Sequence, residues 1–200
     1  MNEGKPGRLI VISGPSGAGK STVVRQLRRR CNLPLTFCVS ATTRPPRPGE
    51  IDGVHYVFLS PEEFQRRREG GEFLECKEVF GLGYWYGTPR AQVASGLAAG
   101  QWVILEIDVQ GAMTILDQES FNPITIFIHP GGMQELETRL RARQTGSEAA
   151  IGARLETARS EMRYMHRYQY EIINRSVDQA VDEICDVLKQ HKEKQTCSKS

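Results

Sequence analysis

The chain has 200 residues, 39% of them apolar, and a formal net charge of +2. This length and apolar content suffice for one α/β domain with a buried core and inserted segments. The net charge is too small to indicate nucleic-acid binding by itself, and no apolar run approaches the length that crosses a bilayer.

Cysteine and histidine usage argues against two further kinds of site. The five cysteines have no C-x-x-C spacing and leave one unpaired in any disulfide scheme, and the four histidines have no metal-ligand spacing. Residues 1–8 are polar, and no apolar signal region follows them. We therefore expect a cytoplasmic protein with reduced thiols, and no nucleic acid, membrane or obligate protein partner.

Residues 14–21 form a G-x-x-x-x-G-K-S motif that directly follows the apolar run 9–12. The run is typical of a buried parallel strand, and apolar residues with helical spacing follow the motif to about residue 31. In such a context the glycines let backbone N–H groups point at phosphate oxygens, Lys20 adds a positive charge, and Ser21 offers a hydroxyl to Mg²⁺. The motif predicts a cradle for nucleotide phosphates; the alternative is a glycine-rich turn with an exposed lysine.

Residues 35–40 are predicted as a second strand, which leads into a stretch rich in proline and arginine. Arg44 and Arg47 lie three apart on a backbone that the prolines keep extended. Arginine forks hold phosphate bidentately, and a stiff backbone lowers the entropy lost on ordering them. The stretch predicts a phosphate-binding loop, with a solvated basic loop as the alternative.

The segment 40–96 lacks the strand–helix alternation of an α/β core. Its pattern predicts a strand over residues 54–58, a helix from residue 61 and a strand over residues 72–75. Residues 81–89 are predicted as an aromatic, glycine-flanked loop whose final proline starts another helix. We therefore predict a small, mostly antiparallel insertion at residues 40–96.

An apolar run at residues 102–108 ends in carboxylates and predicts a strand whose C-terminal end lies beside the phosphate loop. In open α/β sheets ligands bind at the carboxyl ends of strands, where an acid can hold Mg²⁺ through water or orient the nucleophile. Glu106 and Asp108 are the candidates. Alternatively, they cap the helix predicted near Gln110.

Residues 124–128 are predicted as another buried strand, followed by two helices with a break at residues 144–147. Arg139 and Arg143 share a face of the first helix, and Arg154 lies on the second. An arginine-rich helical hairpin suits a lid that closes over a polyphosphate, because guanidinium groups meet the charge of the transferring phosphoryl. Solvated helix faces are also rich in arginine, which is the alternative.

The chain closes with a predicted strand near residues 171–174, a helix over residues 177–189 and a polar tail at 191–200 that we expect to be disordered. Five strands then form a parallel α/β core. The predicted domain organisation has a core of 1–39, 97–132 and 158–190, the insertion at 40–96, and the lid at 133–157.

Five motifs in fixed order resemble those of the guanylate kinase family. They are ISGPSG at 12–17, VSATTRPPRPGE at 39–50, EFLE at 72–75, YGT at 86–88 and LEIDVQG at 105–111. The resemblance runs from about residue 8 to residue 189. It implies a P-loop NTPase-type five-stranded parallel sheet flanked by helices, with a GMP-binding insertion and a helical lid. The activity it implies is the phosphorylation of GMP, and of dGMP, by ATP with Mg²⁺ in purine nucleotide metabolism.

Residue roles carry over from the family by matching position. The resemblance implies guanine readers at Ser40, Glu75, Thr88 and Asp108, and ligands of the GMP phosphate at Arg44, Arg47, Tyr56 and Tyr86. It implies catalytic groups at Lys20, Arg139, Arg143 and Arg154, with Ser21 as a metal ligand. It implies an ATP site comprising Gly14, Ser16, Gly17, Ala18, Gly19, Lys20, Ser21, Thr22 and Asn174. A carboxylate suits guanine because its N1–H and N2–H₂ are donors on a face that adenine lacks.

The chain departs from the family pattern at three places. The loop before Tyr86 is longer than usual, which leaves Tyr84 as the alternative phosphate ligand. Arg175 and Ser176 stand where acidic residues are usual, and Glu106 stands where aspartate is common, so the role of Glu106 is open.

Two rival functions are weighed against a GMP kinase. One is a non-catalytic binding module of the same family, which typically degrades the phosphate loop or lid; Lys20, Ser21 and the lid arginines argue against it. The other is a kinase for a different nucleoside monophosphate or a sugar phosphate, against which the guanine readers argue.

Overall fold

The structure is a computed structural model and describes residues 7–79, 83–118, 121–142 and 148–197. By its internal contacts the chain divides into two compact units. Unit 1 comprises Met1–Val11, Pro34–Leu105 and Gln110–Ile124; unit 2 comprises Ile12–Leu33, Glu106–Val109 and Thr125–Ser200. The predicted insertion therefore falls in unit 1, and the phosphate loop and predicted lid fall in unit 2. The predicted domain boundaries stay a prediction.

Nine strands and seven α-helices are found among the described residues. The strands are β1 Arg8–Ser13, β2 Leu35–Phe37, β3 Ala41–Thr42, β4 Val57–Phe58, β5 Phe73–Val79, β6 Tyr84–Pro89, β7 Trp102–Glu106, β8 Ile124–His129 and β9 Tyr170–Ile173. The helices are α1 Lys20–Arg30, α2 Pro61–Glu69, α3 Arg90–Ala98, α4 Val109–Leu116, α5 Met133–Ala142, α6 Glu148–Met162 and α7 Val177–Cys197.

The larger sheet confirms the predicted α/β class. Its five strands lie in the order β2-β7-β1-β8-β9, with β2 parallel to β7 and β8 parallel to β9. All six residues of β8 are buried, as are five of the six in β1. Near-continuous apolar strands are what a parallel sheet needs, because helices cover both of its faces. This is why the strands before the phosphate loop and at β7 and β8 were predicted correctly.

Unit 1 also contains a four-stranded mixed sheet in the order β4-β3-β6-β5. Strand β6 pairs antiparallel with both β3 and β5, while β3 and β4 are parallel. Its core is aromatic: Phe64 of α2 stacks on Phe73 with ring centroids 4.6 Å apart, and the Trp85 ring lies 6.1 Å from that of Phe64. The mostly antiparallel insertion is confirmed.

Unit 2 contains two pairs of packed helices. The apolar face of α1 lies against α7, and α5 packs on α6 through Leu136, Leu140, Ile151 and Leu155. These residues recur at helical spacing, so the hairpin of the predicted lid has an apolar seam of its own.

Three predictions about strands are corrected by the structure. The aromatic stretch predicted as a loop is strand β6 from Tyr84 onward, because aromatic side chains pack well on a pleated surface and β5 supplies a partner. The strand predicted over residues 54–58 is observed only as β4, because the residues before it form a turn. In this turn the carbonyl oxygen of Ile51 accepts hydrogen bonds from the N–H groups of Val54 and His55. The second predicted strand ends at Phe37 rather than at residue 40.

The last helix is longer than predicted. We expected disorder from residue 191, but α7 continues through Cys197. Lysine, glutamate and glutamine are good helix formers, and no glycine or proline in this stretch ends the helix.

Candidate active site

The phosphate loop in unit 2 has a backbone that demands glycine. Gly14, Gly17 and Gly19 have φ values of 143°, 93° and 85°. Space is as restrictive as conformation: a methyl group on Gly14 would lie 2.0 Å from the carbonyl oxygen of Ile128, and one on Gly19 would lie 2.6 Å from Nδ2 of Asn174. The loop therefore needs glycine to turn and to approach β8 and the residues after β9.

The side-chain amide of Asn174 is hydrogen-bonded to the phosphate loop. This residue is 3% exposed, and its Nδ2 donates to the carbonyl oxygen of Ala18 at 2.8 Å. Its own backbone N–H donates to His129 at 2.8 Å, which ties it to the end of β8. Asn174 thus holds the loop in place with its amide group, in addition to lining the pocket beside it.

Lys20 begins α1, and its side chain lies along the loop. Its ammonium group donates to the carbonyl oxygens of Gly14 and Pro15 at 2.6 and 3.0 Å. The ammonium group is therefore held against the backbone of the loop.

Ser21 meets a carboxylate. Its hydroxyl donates to Oε1 of Glu106, at the end of β7, over 2.5 Å. Two oxygen atoms of the kind that binds hard metal ions thus lie side by side next to the phosphate loop. Among the described residues no group of three or more His, Cys, Asp and Glu side chains could hold a metal by itself. Magnesium does not need such a cage, because it keeps several waters and binds through one or two protein groups and substrate phosphates.

Two of the predicted lid arginines reach the loop region. Nη2 of Arg154, on α6, donates to the hydroxyl of Ser16 at 3.1 Å. Arg139, on α5, donates to Glu135 and to the carbonyl oxygen of Asn174, both at 2.8 Å. The third predicted arginine, Arg143, lies outside the described residues.

A pocket of about 410 Å³ opens beside the loop within unit 2. It is lined by Gly17, Gly19, Thr22, Arg139, Ala142 and residues 174–177. Its volume lies in the range of small-molecule sites, and it begins at the residues predicted to hold phosphates.

In unit 1, Arg44 is held from several sides. It is 8% exposed, and its guanidinium donates to both carboxylate oxygens of Glu50, at 2.9 and 3.0 Å. Nε donates to the Tyr86 hydroxyl at 3.1 Å, and Nη1 also donates to the carbonyl oxygen of Pro45 at 2.7 Å. The hydrogen bonds with Glu50 raise the pKa of Arg44, and those with Arg44 lower the pKa of Glu50. The guanidinium is thus fixed in one orientation.

Of the other predicted phosphate ligands, the two tyrosines contact this arginine and Arg47 is bonded to Glu50. Tyr56 lies under the guanidinium, 5.4 Å from ring centroid to Cζ, and meets Tyr86 edge-on at 5.8 Å. Tyr86, rather than Tyr84, has its hydroxyl on Arg44. Arg47 is exposed, and its backbone N–H donates to Glu50.

Two of the predicted guanine readers form a buried pair. The Thr88 hydroxyl donates to Oε1 of Glu75 at 2.6 Å, and the two residues are 0% and 8% exposed. Burial, followed by the charge of Glu75, raises the pKa of the Cys38 thiol to about 12, so Cys38 stays protonated and donates to Gln92. Ser40 is half-buried in unit 1, whereas Asp108 belongs to unit 2.

Two residues without a predicted role stand out in the structure. Glu50 closes the proline-rich motif, and the only sequence signal for it is an acid six residues after Arg44. Arg175 lines the pocket beside the loop. Its only signal is a basic residue where the family usually has an acid.

A family model described as guanylate kinase matches residues 6–191. Guanylate kinase of Rhodopirellula baltica is 64% identical over 195 residues, covering 98% of this chain and 93% of the relative. That of Desulfitobacterium hafniense is 46% identical over 183 residues, covering 91% and 89%. The crystal structure of guanylate kinase from Anaplasma phagocytophilum superposes with a TM-score of 0.76 at 33% identity, covering 94% of this chain and 87% of that one. No described helix is long and apolar enough to cross a membrane. The chain belongs to the guanylate kinase family.

Proposed function

We propose that this chain transfers the γ-phosphoryl group of ATP to GMP, giving ADP and GDP, and that it accepts dGMP as well. The observation that carries the proposal is the assembly on one phosphate loop of Lys20, the Ser21–Glu106 pair and Arg154. A binding module has no use for these groups, whereas phosphoryl transfer depends on positioning and charge neutralisation.

Unit 2 supplies the donor side of the reaction. Backbone N–H groups of the loop hold the β- and γ-phosphates, and Lys20 exchanges its carbonyl partners for phosphate oxygens. Arg154 and Arg139, with Arg143, meet the charge of the phosphoryl group as it moves.

Ser21 and Glu106 fit a magnesium ion. We propose that the Ser21 hydroxyl and the Glu106 carboxylate would hold the metal, because their two oxygens already lie 2.5 Å apart. When bound, Mg²⁺ neutralises charge on the β- and γ-phosphates. Glu106 therefore takes the role that is usual for an aspartate.

Unit 1 supplies the acceptor side. Arg44, Arg47, Tyr56 and Tyr86 hold the GMP phosphate, whose oxygen attacks the γ-phosphorus while the bond to the β-phosphate oxygen breaks. Only some of the N–H groups of the Arg44 guanidinium bind that phosphate, because the Glu50 carboxylate accepts a hydrogen bond from each of its two Nη atoms.

Guanine is selected through carboxylates. Glu75 accepts from N1–H and N2–H₂, with Thr88 beside it; Ser40 and Asp108 stay predicted guanine readers. The Thr88 hydroxyl already holds Glu75 at 2.6 Å, which orients the carboxylate before the base arrives. Adenine offers no such donors and would leave a buried carboxylate unpaired.

An ADP-release assay with MgATP and GMP, dGMP, AMP, CMP or UMP tests the proposal. We expect turnover with GMP and dGMP and almost none with the other three. Lys20→Ala should lower kcat by orders of magnitude, whereas Lys189→Ala, an exposed lysine on α7, should leave kcat unchanged. Binding of GMP in calorimetry without turnover would favour the binding module, and turnover with another acceptor would favour a kinase of different specificity.

A further inference from the structure

The pocket beside the phosphate loop contains a charged group that the proposed mechanism does not use. Arg175 lies between β9 and α7 and lines this pocket together with Gly17, Gly19 and Thr22. It also lines a second pocket of unit 2, with Gln134 and Arg139. An arginine shared by two adjoining pockets is placed to contact whatever extends beyond the phosphates.

Hydrogen bonds of Asn174 and Arg175 hold the backbone at Arg175. Its N–H donates to the carbonyl oxygen of Ile173 at 2.8 Å, and the preceding Asn174 is bonded to His129 and Ala18. The position of the Cα atom is thus tied to the phosphate loop itself. Any ligand that the loop orients meets Arg175 in a reproducible place.

Three other polar residues of the lining are already engaged within the protein. Arg139 donates to Glu135 and to the Asn174 carbonyl oxygen, and the amide of Asn174 donates to Ala18. The Ser176 hydroxyl accepts from Gln179 at the start of α7. Within the described part of the chain, the Arg175 side chain has no hydrogen-bond or ion-pair partner and is exposed.

The chemistry of an arginine restricts what it can recognise. A guanidinium has five N–H donors and no acceptor. On the purine edge that carries N7, guanine and hypoxanthine present two acceptors, N7 and O6, which one arginine can bind together. Adenine presents N7 beside an amino group, so it offers a single acceptor next to a donor.

We propose that Arg175 is a specificity-determining residue for the donor nucleotide: it binds N7 and O6 of a 6-oxopurine, so that GTP and ITP serve as phosphoryl donors besides ATP. This inference rests on the proposed function, because it takes the loop residues of the pocket as the phosphate site. With the phosphates there, the nucleoside occupies the remainder of the pocket, where Arg175 lies.

The test compares kcat/KM for ATP, GTP, ITP and 7-deaza-GTP at saturating GMP, by chromatography of GMP consumed. In the natural protein GTP and ITP should be used, and 7-deaza-GTP should be used less well because it lacks N7. Arg175→Ala should lower the GTP-to-ATP ratio by about tenfold, within the discrimination that one bidentate contact supplies. Arg175→Asp should lower the ratio further, since a carboxylate accepts from the adenine amino group and repels O6. Arg163→Ala, an exposed arginine outside both pockets, is the matched control.

Several results would overturn the inference while leaving the proposed function intact. One is a GTP-to-ATP ratio that Arg175→Ala does not change. Another is an equal loss for all donors, which would mean that Arg175 contacts phosphates instead. If ATP and GMP gave no turnover, the proposed function would fail. Calorimetric binding of ITP and ATP at saturating GMP would then still report the ratio.

Discussion

The Arg44–Glu50 pair makes a quantitative prediction about the acceptor side. Glu50→Gln keeps the size and shape of the side chain but removes its charge. It also replaces one acceptor oxygen by an amide NH₂ group, which is a donor. In the natural protein both carboxylate oxygens accept from Arg44, at 2.9 and 3.0 Å. In the variant one of these two contacts becomes donor against donor.

The size of the effect follows from burial. The side chains of Arg44 and Glu50 are only 9% and 17% exposed, so water replaces the lost contact poorly. A hydrogen bond to a charged group contributes about 1.5–3 kcal/mol, and removing one partner of a buried pair costs about 3–5 kcal/mol. Because glutamine retains one acceptor, we expect the free energy of unfolding to fall by about 2–3 kcal/mol, measured by urea denaturation.

Glu63→Gln is the matched control. Glu63 also accepts from two arginines, Arg66 and Arg67, but its side chain is 33% exposed and that of Arg66 is 64% exposed. Exposed pairs contribute little, because water screens the charges and can replace the lost contact. Equal losses in the two variants would refute the reasoning from burial.

The pH dependence supplies an independent check. Hydrogen bonds from Arg44 hold the pKa of Glu50 below its ordinary value. A carboxyl whose pKa is lower in the folded state stabilises the protein above its unfolded pKa, about 4.3, and loses that contribution as the pH falls through its folded pKa. The difference between the natural protein and Glu50→Gln should therefore be constant from pH 7 to about 6 and shrink below about pH 4. A difference that grew toward acid pH would contradict this account.

Three further predictions concern the loop, the base and the metal. Gly14→Ala should abolish kinase activity and lower the melting temperature, because its methyl group would lie 2.0 Å from the Ile128 carbonyl oxygen. Gly53→Ala is the control and should remain active, because Gly53 also has a positive φ but its added methyl group would meet no atom within 4 Å. Glu75→Gln should lower kcat/KM for GMP by about a hundredfold, from one lost charge-assisted hydrogen bond, and leave the KM for ATP unchanged; an equal rise in both KM values would contradict a role in base selection. Glu106→Gln should raise the Mg²⁺ concentration for half-maximal rate in a titration at fixed ATP, and Glu106→Asp should restore it partly; an unaltered midpoint in Glu106→Gln would exclude Glu106 from the metal site.

Long, continuous signals in the sequence led to correct predictions. The buried strands β1, β7 and β8 each contain an unbroken or nearly unbroken run of apolar residues, so their pattern does not depend on which neighbour they pair with. The start of α2 was equally clear: the Ser60 hydroxyl accepts from the Glu63 N–H, with proline at the first turn. The family and its chemistry were recognisable because the motifs lie in a fixed order along the chain.

Short strands were predicted poorly. Strands β3 and β4 have two residues each, and β6 looked like a loop because glycines flank its aromatic residues. A two-residue strand has no period to detect. Its conformation is set by hydrogen bonds to a partner strand that is distant in sequence.

The phosphate loop, the buried strands of the parallel sheet and the kind of chemistry could be predicted from the residues alone, because backbone conformation and apolar period are local properties of a chain. Which polar groups meet depends instead on how the elements pack. Nothing in the sequence pairs Glu50 with Arg44, Thr88 with Glu75 or Ser21 with Glu106, the last two residues being 85 positions apart. A hydrogen bond between side chains depends on distances of about 3 Å, and these are set only when the elements that carry them have packed.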